Sequence, residues 1–322
     1  MRSGESRGVL TKNHMGADVE TAVSALLRGE LVILPTETVY GLACDAGNAR
    51  AVAAVFAAKG RPQFNPLISH VTGLEAALAI AELDLRMRRL AEAFWPGPLT
   101  LVAPVRDTGA VCDLARAGLG TVAVRAPDHP LAQAVLDALG RPVAAPSANR
   151  SGRPSPTTFA DAVEETGASA AAALDGGPCR VGLESTVLGL AGEELVLLRP
   201  GSVTREAIEQ VAGPVTPGLG SGHSSPGRLA RHYAPSKPLR LDVTRPSPGA
   251  AYLAFGDAPG DGPLTWNLSP TADLAEAAAN LFVFLRAADR SDAPVIEAAP
   301  IPHRGLGEAI NDRLRRAAGQ VG

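Results

Sequence analysis

Residues 31–42 have the sequence Leu-Val-Ile-Leu-Pro-Thr-Glu-Thr-Val-Tyr-Gly-Leu. The first four form a continuous apolar run ended by Pro35, which is typical of a strand buried on both faces of a sheet. Thr36, Glu37 and Thr38 follow directly. Because α/β proteins hold ligands in loops at strand ends, this stretch predicts a strand that carries a polar pocket wall. A turn that satisfies its own backbone is an equal alternative.

Strand and helix patterns alternate through the first two thirds of the chain. Predicted helices run from a cap at Asp18 to Gly29 and over 48–60, 74–81, 84–94, 129–139 and 204–211. Predicted strands cover 67–71, 99–105, 121–125 and 142–145, with a hairpin of 185–190 and 194–198. This alternation predicts an α/β fold.

The composition changes after residue 211. Residues 213–238 are dense in Gly, Pro and Ser and have no periodicity, which is typical of a linker rather than a core element. Strands over 251–255 and 294–298 and helices over 271–288 and 306–318 then predict a small Rossmann-like α/β domain. We therefore expect a first domain at 1–211, a linker at 212–238 and a C-terminal domain at 239–322.

Composition excludes several classes of protein. The 322 residues are 46% hydrophobic and 20% charged with a formal charge of −3, so neither a disordered chain nor a globally basic nucleic-acid binder is expected. Three cysteines without a C-x-x-C pair exclude a disulfide scaffold and a Cys-rich zinc module. With no apolar run of about 18 residues and no signal-peptide pattern, we expect a cytoplasmic protein outside the membrane.

Residues 58–67, with the sequence AKGRPQFNPL, place two cations on a stiff turn. The dipole at a helix C-terminus explains Lys59 adequately. Arg61 is explained less well, because two neighbouring cations repel unless an anion such as phosphate lies between them. His70, on the apolar strand that follows, is more often a satisfied core histidine than a ligand contact.

Two later segments have similar chemistry. Residues 145–158 (APSANRSGRPSPTT) combine hydroxyls, an amide and two arginines, which suit phosphate and ribose, although a solvated surface loop has the same composition. The second segment consists of residues 182–187 and 198–201. Its Arg199 ends an apolar strand and needs water or an anionic partner, and a salt bridge to Glu184 is an equal alternative to a ligand anion.

Familiar catalytic signatures are missing from the sequence. It has no G-x-x-x-x-G-K-[ST] phosphate loop, no G-x-S-x-G elbow and no paired-carboxylate metal motif. Nothing in it resembles a nucleophile–base pair. A reaction that works by positioning and charge neutralisation therefore fits better than covalent catalysis.

These segments, in this order, resemble the YrdC/Sua5 family, the L-threonylcarbamoyladenylate synthases. The resemblance spans about residues 15–210 and rests on PTETVYGL, KGRPQFNPL, FWPGPLTL, TVAVR, APSANRSGRPSPT, ESTV and LLRPG. Residues 225–235 are similar to the segment that joins the synthase domain to a Sua5-type C-terminal domain. The resemblance implies a twisted mixed sheet with a concave basic face.

The same resemblance implies that L-threonine, bicarbonate and ATP give threonylcarbamoyl-AMP and pyrophosphate, for N6-threonylcarbamoyladenosine formation in tRNA. Carried over by motif position, the threonine set is Thr38, His70, Arg125, Ala145 and Ser185. The ATP set is Lys59, Arg61, Asn65, Thr121, Ser147, Ser155, Arg199 and Tyr233, of which Lys59, Arg61 and Arg199 would be catalytic. Magnesium would be held mainly by phosphate oxygens, without dedicated protein ligands. A downstream threonylcarbamoyl-transfer complex and tRNA are the expected partners.

Two other classes of function are alternatives. An RNA-binding module could use the same basic concavity, but the charge of −3 and the 4% aromatic content argue against base stacking. A carbamoyltransferase of the hydrogenase-maturation type carries a YrdC-like domain, but it needs zinc-finger cysteines and an acylphosphatase segment.

Overall fold

The structure is a computed structural model that describes residues 12–218, 232–257, 259 and 262–320. The α-helices of this part are α1 (Lys12–Leu27), α2 (Ala49–Lys59), α3 (Leu74–Ile80), α4 (Leu85–Phe94), α5 (Pro130–Leu139), α6 (Phe159–Thr166), α7 (Arg205–Ala212), α8 (Leu274–Arg290) and α9 (Leu306–Ala317). The strands are β1 (Val32–Leu34), β2 (Gly41–Asp45), β3 (Ile68–His70), β4 (Leu99–Pro104), β5 (Thr121–Arg125), β6 (Val143–Ala144), β7 (Ala172–Ala173), β8 (Thr186–Ala191), β9 (Glu194–Arg199), β10 (Thr216–Pro217), β11 (Leu239–Arg240), β12 (Ala251–Ala254), β13 (Thr265–Asn267) and β14 (Ile296–Ala298).

Ten strands form one mixed sheet in the order β10-β9-β8-β4-β5-β3-β6-β2-β1-β7. The pairs β3–β5 and β4–β8 are parallel, whereas β4–β5 and the hairpin β8–β9 are antiparallel. The remaining four strands form a second, fully parallel sheet in the order β11-β14-β12-β13. Both sheets confirm the predicted α/β fold class.

The first strand is buried on both faces, as its apolar run predicts. Ile33 packs into a cluster that includes Val52 and Phe56 of α2, whereas Val32 and Leu34 pack into a cluster with Leu26 of α1. Successive side chains of a strand point to opposite faces, so helices cover the sheet on both sides of β1.

Local signals at the ends of α2 explain where Lys59 lies. Asn48 caps the helix by accepting from the backbone N–H groups of Arg50 and Ala51. Gly60 ends it in the left-handed conformation, with φ of 59°. Lys59 is therefore the last residue of α2, at the start of the turn that leads to β3.

Two predictions of element bounds are wrong. Helix α1 begins at Lys12, so Asp18 lies inside it and does not cap it. A capping side chain favours a start without enforcing it, and Lys-Asn-His-Met are all compatible with helix. In the predicted linker, Thr216–Pro217 forms β10 at the edge of the large sheet, parallel to β9. A two-residue edge strand is too short to create a periodicity, and an edge position tolerates proline.

The second sheet and helices α8 and α9 share a core that reaches into the first part of the chain. Leu183 and Tyr233 pack in the same cluster as Phe282, Leu285 and Leu314. Gly182 approaches α8 so closely that a Cβ there would lie 2.5 Å from Ala279 Cα. The two sheets are therefore joined through packed side chains next to β8. In the part of the chain that the structure describes, no helix has the length and apolar character of a membrane span.

Candidate active site

A cavity lies beside β3, where β5, β6 and β9 end and β8 begins. The strand ends and their loops contribute most of its wall, and residues just after the undescribed segment 219–231 complete it. The lining residues are Thr38, Val39, Arg61, Pro66, Leu67, Ile68, His70, Arg125, Ala145, Pro146, Ser147, Glu184, Ser185, Arg199, His232 and Tyr233.

Arg125 is fixed at one end of this cavity by three hydrogen bonds. Nη2 donates to Glu37 Oε1 at 2.6 Å, Nη1 donates to Thr38 Oγ1 at 3.0 Å and Nε donates to Gly97 O at 3.2 Å. The second oxygen of Glu37 accepts from the backbone N–H of Asp128 at 3.0 Å. An arginine carries five N–H donors, so a guanidinium held in this way still has donors for a ligand carboxylate.

The hydrogen-bond directions at Thr36 and Thr38 follow from their partners. Thr36 Oγ1 donates to Val39 O at 2.6 Å, so in the 2.8 Å contact between the two hydroxyls Thr38 is the donor. Thr38 Oγ1 also accepts from Arg125. Thr36 therefore satisfies the local turn, and Thr38 forms pocket wall and presents a lone pair to the cavity. The interpretation of the first motif as a self-satisfied turn therefore applies to Thr36, and its interpretation as a pocket wall applies to Thr38.

His70 lines the cavity as a neutral imidazole. Burial, together with the nearby Arg125 cation, lowers the pKa of His70 to about 3. Its Nδ1 atom has no hydrogen-bond partner among the described residues. A buried ring nitrogen without a partner is available to a ligand, which favours the functional interpretation of His70 over the core one.

Arg199, at the end of β9, is held against Ser185 in the wall of the same cavity. Arg199 Nε and Nη2 donate to Ser185 O at 3.1 and 2.9 Å, and Nη2 donates to Ser185 Oγ at 3.1 Å. Ser185 Oγ also lies 2.7 Å from Thr100 Oγ1 of β4. Glu184 bonds instead to Ser155 Oγ, at 2.5 Å, and to Arg313 Nε, at 2.8 Å. Among the residues that the structure describes, the salt-bridge partner of Glu184 is thus Arg313.

Lys59 and Arg61 are held by backbone carbonyls. Lys59 Nζ donates to Ser147 O and Asn149 O, which ties the loop after β6 to the end of α2. Arg61 donates to Asn65 O at 3.3 Å and to Pro66 O at 3.1 Å. Carbonyl dipoles therefore stabilise both cations, and the turn does not need an anion to hold them together.

The cavity is electropositive although the chain carries a formal charge of −3. Burial lowers the pKa of Lys59, and the neighbouring Arg61 lowers it further. Burial and four cations, Arg61, Lys59, Arg199 and Arg313, hold the pKa of His232 well below its usual range. Cations that depress the pKa of a neighbouring base in this way also attract an anionic ligand.

Tyr233 closes one side of the cavity. Its ring lies edge-on to His232 with centroids 3.9 Å apart and 5.5 Å from the ring of Phe282. Its φ of 63° is unusual for a residue with a side chain and is stable only where the surroundings enforce it.

Most of the predicted site residues come together. All five of the threonine set line the cavity, as do Arg61, Ser147, Arg199 and Tyr233 of the ATP set. Lys59 and Ser155 contact lining residues. Asn65 is buried beside Arg61, and its Oδ1 atom has no hydrogen-bond partner in the described part of the chain. Thr121 lies at the opposite end of β5 from Arg125, about 13 Å along the strand, and is not among the lining residues.

Arg313 is the site-adjacent residue that sequence reasoning missed. The ion pair of Arg313 with Glu184 joins residues 129 apart in the chain, and no spacing rule connects them. The resemblance covered the region before residue 210 and the motif around Tyr233, so it gave no signal for α9.

Comparisons with known proteins match nearly the whole chain. A Sua5/YciO/YrdC family model, described as telomere recombination, matches residues 24–201. A second model, described as the C-terminal domain of threonylcarbamoyl-AMP synthase, matches residues 203–319. The threonylcarbamoyl-AMP synthase of Bacillus subtilis (strain 168) is 39% identical to the chain, over 94% of this chain and 93% of the relative.

Comparison with solved structures points to the same family as the sequence comparisons. The crystal structure of Pyrococcus abyssi Sua5 complexed with L-threonine has a TM-score of 0.86 at 37% identity, over 94% of each chain. A P. abyssi Sua5 variant in which a histidine and the tyrosine after it are both replaced by alanine has a TM-score of 0.87 at 35% identity. It covers 97% of this chain and 95% of its own. The chain therefore belongs to the Sua5/YciO/YrdC family, in the form that also carries the threonylcarbamoyl-AMP synthase C-terminal domain.

Proposed function

We propose that this chain is an L-threonylcarbamoyladenylate synthase, which makes threonylcarbamoyl-AMP from L-threonine, bicarbonate and ATP. The observation that carries the proposal is that Arg125, Arg61 and Arg199 line one cavity, in a chain 37% identical to a Sua5 solved with L-threonine. A cavity with several buried cations and neutral hydroxyl groups suits two anionic substrates held side by side.

The reaction balances without a covalent enzyme intermediate. Protonated threonine amine and bicarbonate give the N-carboxylate, one water and one proton. A carboxylate oxygen then attacks the α-phosphorus of ATP, the bond from that phosphorus to the bridging oxygen of the β-phosphate breaks, and pyrophosphate leaves. The protein has to align the two anions and offset their charge, which accounts for up to several kcal/mol of barrier in comparable reactions.

The threonine end is assigned to Arg125, Thr38 and His70. Arg125 would bind the substrate carboxylate with its remaining donors. Thr38 offers a lone pair, so it would accept a hydrogen bond from the ammonium or the hydroxyl of threonine. Ala145 and Ser185 complete this end of the cavity.

The nucleotide end is assigned to the remaining cations and loops of the cavity. Arg61, Arg199 and Ser147 would face the phosphates, Lys59 would hold the Ser147 loop in place, and Tyr233 would cover the nucleotide. His232-Tyr233 is the single His-Tyr pair of the sequence, and an adjacent histidine and tyrosine are the residues replaced in the P. abyssi Sua5 variant. Asn65, Thr121 and Ser155 remain predictions from the sequence resemblance.

Magnesium would be held mainly by the phosphates of ATP. Among the described residues, no group of three or more His, Cys, Asp or Glu side chains could hold a metal ion. Glu184, the acidic lining residue, is engaged by Ser155 and Arg313. When bound, the ion would supply further neutralisation of phosphate charge. The product would pass in the cytoplasm to a threonylcarbamoyl-transfer complex that acts on tRNA.

Pyrophosphate release tests the function. We expect release from the purified chain with ATP, L-threonine and bicarbonate together, and a loss of at least about tenfold when either of the last two is omitted. Mass spectrometry should detect threonylcarbamoyl-AMP in equal amount. Release that does not depend on threonine would indicate a nucleotide hydrolase and overturn the proposal.

A further inference from the structure

Arg313 of α9 is buried against the active-site cavity although it belongs to the part of the chain that carries the second sheet. Its side chain is 1% exposed. Nε donates to Glu184 Oε2 at 2.8 Å, and Nη1 donates to Pro200 O at 2.9 Å and to Asp312 Oδ2 at 2.6 Å. The guanidinium thus contacts the segments on both sides of the β8–β9 hairpin, where Ser185 and Arg199 lie.

Through Glu184, Arg313 reaches the polar loop of residues 145–158. Glu184 Oε1 accepts from Ser155 Oγ at 2.5 Å while Oε2 accepts from Arg313. Arg313 and Arg199 hold the pKa of the Glu184 carboxyl below its usual range against the opposing effect of burial. Glu184 is therefore ionised, and an ionised carboxylate accepts hydrogen bonds only, which fixes the hydroxyl of Ser155 toward it.

Arg313 also lies against Tyr233. The guanidinium carbon is 5.3 Å from the centroid of the Tyr233 ring, at cation–π distance. Phe282 of α8 packs against the same ring. Because Tyr233 has a left-handed backbone conformation, the neighbours that hold its ring also hold that conformation.

From these contacts we infer that Arg313 is a positioning residue for the nucleotide half of the site. It would act by holding Glu184, and through it Ser155, and by holding the Tyr233 ring at the cavity wall. The C-terminal part of the chain would then complete the synthase site. The inference rests on the proposed function for its assignment to ATP, whereas the contacts themselves are independent of it.

A merely structural role must be separated from positioning, because a buried ion pair between two sheets could simply hold them together. A second pair offers the matched control. Arg205 of α7 bonds to Glu308 of α9 at 2.5 Å, with side chains 25% and 33% exposed, and neither residue lines the cavity. Arg205→Gln removes an ion pair between the same two parts of the chain without touching Glu184 or Tyr233.

The test measures kcat, the KM for ATP, the KM for L-threonine and Tm in the full chain. For Arg313→Gln we expect the KM for ATP to rise at least about tenfold, with the KM for threonine within about twofold of wild type. Arg313→Lys keeps the charge but loses the planar fork, so its KM for ATP should lie between that of wild type and that of Arg313→Gln. Arg205→Gln should lower Tm and leave both KM values unchanged.

The double variant Glu184→Gln with Arg313→Gln covers the case in which the single variant fails to fold, because it removes both charges of the pair. We expect it to regain Tm but not the affinity for ATP. Recovery of both, or a folded Arg313→Gln with wild-type kinetics, would show that the pair is only structural. Wild type is assayed first: if it releases no pyrophosphate, the proposed function fails, while calorimetric titration with ATP still decides the role of Arg313.

Discussion

Arg125 Nη2 lies 2.6 Å from Glu37 Oε1, and both side chains are buried, although only Arg125 lines the cavity. Glu37 follows strand β1 and Arg125 ends strand β5, so the pair links two separate parts of the large sheet. The carboxylate orients the guanidinium before a ligand arrives, and preorganised donors are the ones that contribute most to binding and catalysis.

The first prediction concerns Arg125→Lys. Lysine keeps the charge and loses the fork that contacts Glu37, Thr38 and a ligand carboxylate, so about 1.5–3 kcal/mol of charged hydrogen bonding should be lost. Steady-state kinetics should show the KM for L-threonine raised about 10- to 100-fold and the KM for ATP changed less than about threefold. Arg180→Lys, in an exposed pair with Asp128, is the control. An unchanged KM for threonine would contradict the carboxylate assignment.

The second prediction concerns Lys59→Met, which leaves the carbonyls of Ser147 and Asn149 without their donor. Each unsatisfied buried group costs about 1–3 kcal/mol, so Tm should fall, and the displaced Ser147 loop should reduce kcat about 100-fold or more. Lys237→Met is the matched control, because Lys237 donates to two carbonyls, of Ala288 and Ser291, beyond the cavity. It should lower Tm and keep kcat. Equal kinetics in both variants would refute a role for Lys59 in turnover.

The third prediction concerns pH and His70. The pKa of His70 is about 3 in the folded chain and about 6.5 in an unfolded one. Between these two pH values the unfolded state therefore binds a proton that the folded state does not bind. The contribution of the neutral histidine to stability is complete above pH 6.5 and is lost as the pH falls toward 3, by up to about 1.4 kcal/mol per unit. Between pH 6.5 and 4.5, the free energy of unfolding measured with denaturant should therefore fall by about 2–3 kcal/mol more in wild type than in His70→Gln.

His303→Gln is the control for that comparison, since His303 is exposed. Its unfolding free energy should follow that of wild type across the same range. If the wild-type and His70→Gln curves run parallel below pH 6.5, the imidazole of His70 accepts a proton in the folded chain and is not held neutral.

The fourth prediction concerns Gly182→Ala at the contact between the two sheets. The added Cβ would lie 2.5 Å from Ala279 Cα and 2.7 Å from Ala278 O, and a φ of 73° adds strain of its own. We expect the unfolding free energy to fall by about 2 kcal/mol or more and the KM for ATP to rise, because Glu184 is two residues away. Gly16→Ala, with open space around it, should cause neither change. A wild-type KM for ATP in Gly182→Ala would show that the site tolerates movement of α8.

The sequence predicted the elements that local signals define. Asn48 and Gly60 mark the ends of α2 within a residue, because capping and left-handed glycine are properties of the adjacent backbone. The apolar run before Pro35 marked β1, because a strand buried on both faces needs consecutive apolar residues. Where the signal was weak, the prediction failed, at Asp18 inside α1 and at the short edge strand Thr216–Pro217.

The sequence predicted which motif residues form the site, but it did not predict their hydrogen-bond and ion-pair partners. Long motifs singled out Arg125, Lys59 and Arg199, but composition could not say whether their charges met an anion or the backbone. In the structure, Lys59 and Arg61 donate to backbone carbonyls, and Glu184 accepts from Arg313. Thr121 shows the opposite case, a motif residue that lies away from the cavity lining.

By itself, the sequence determined the α/β alternation, the family and the identities of the side chains at the strand ends, because these are recorded in neighbouring residues. Only the tertiary structure decided which of those side chains meet and which lone pairs and donors remain open. Glu184 and Arg313, 129 residues apart, meet because two sheets pack together. That packing results from the summed burial of many side chains, and no single stretch of the chain encodes it.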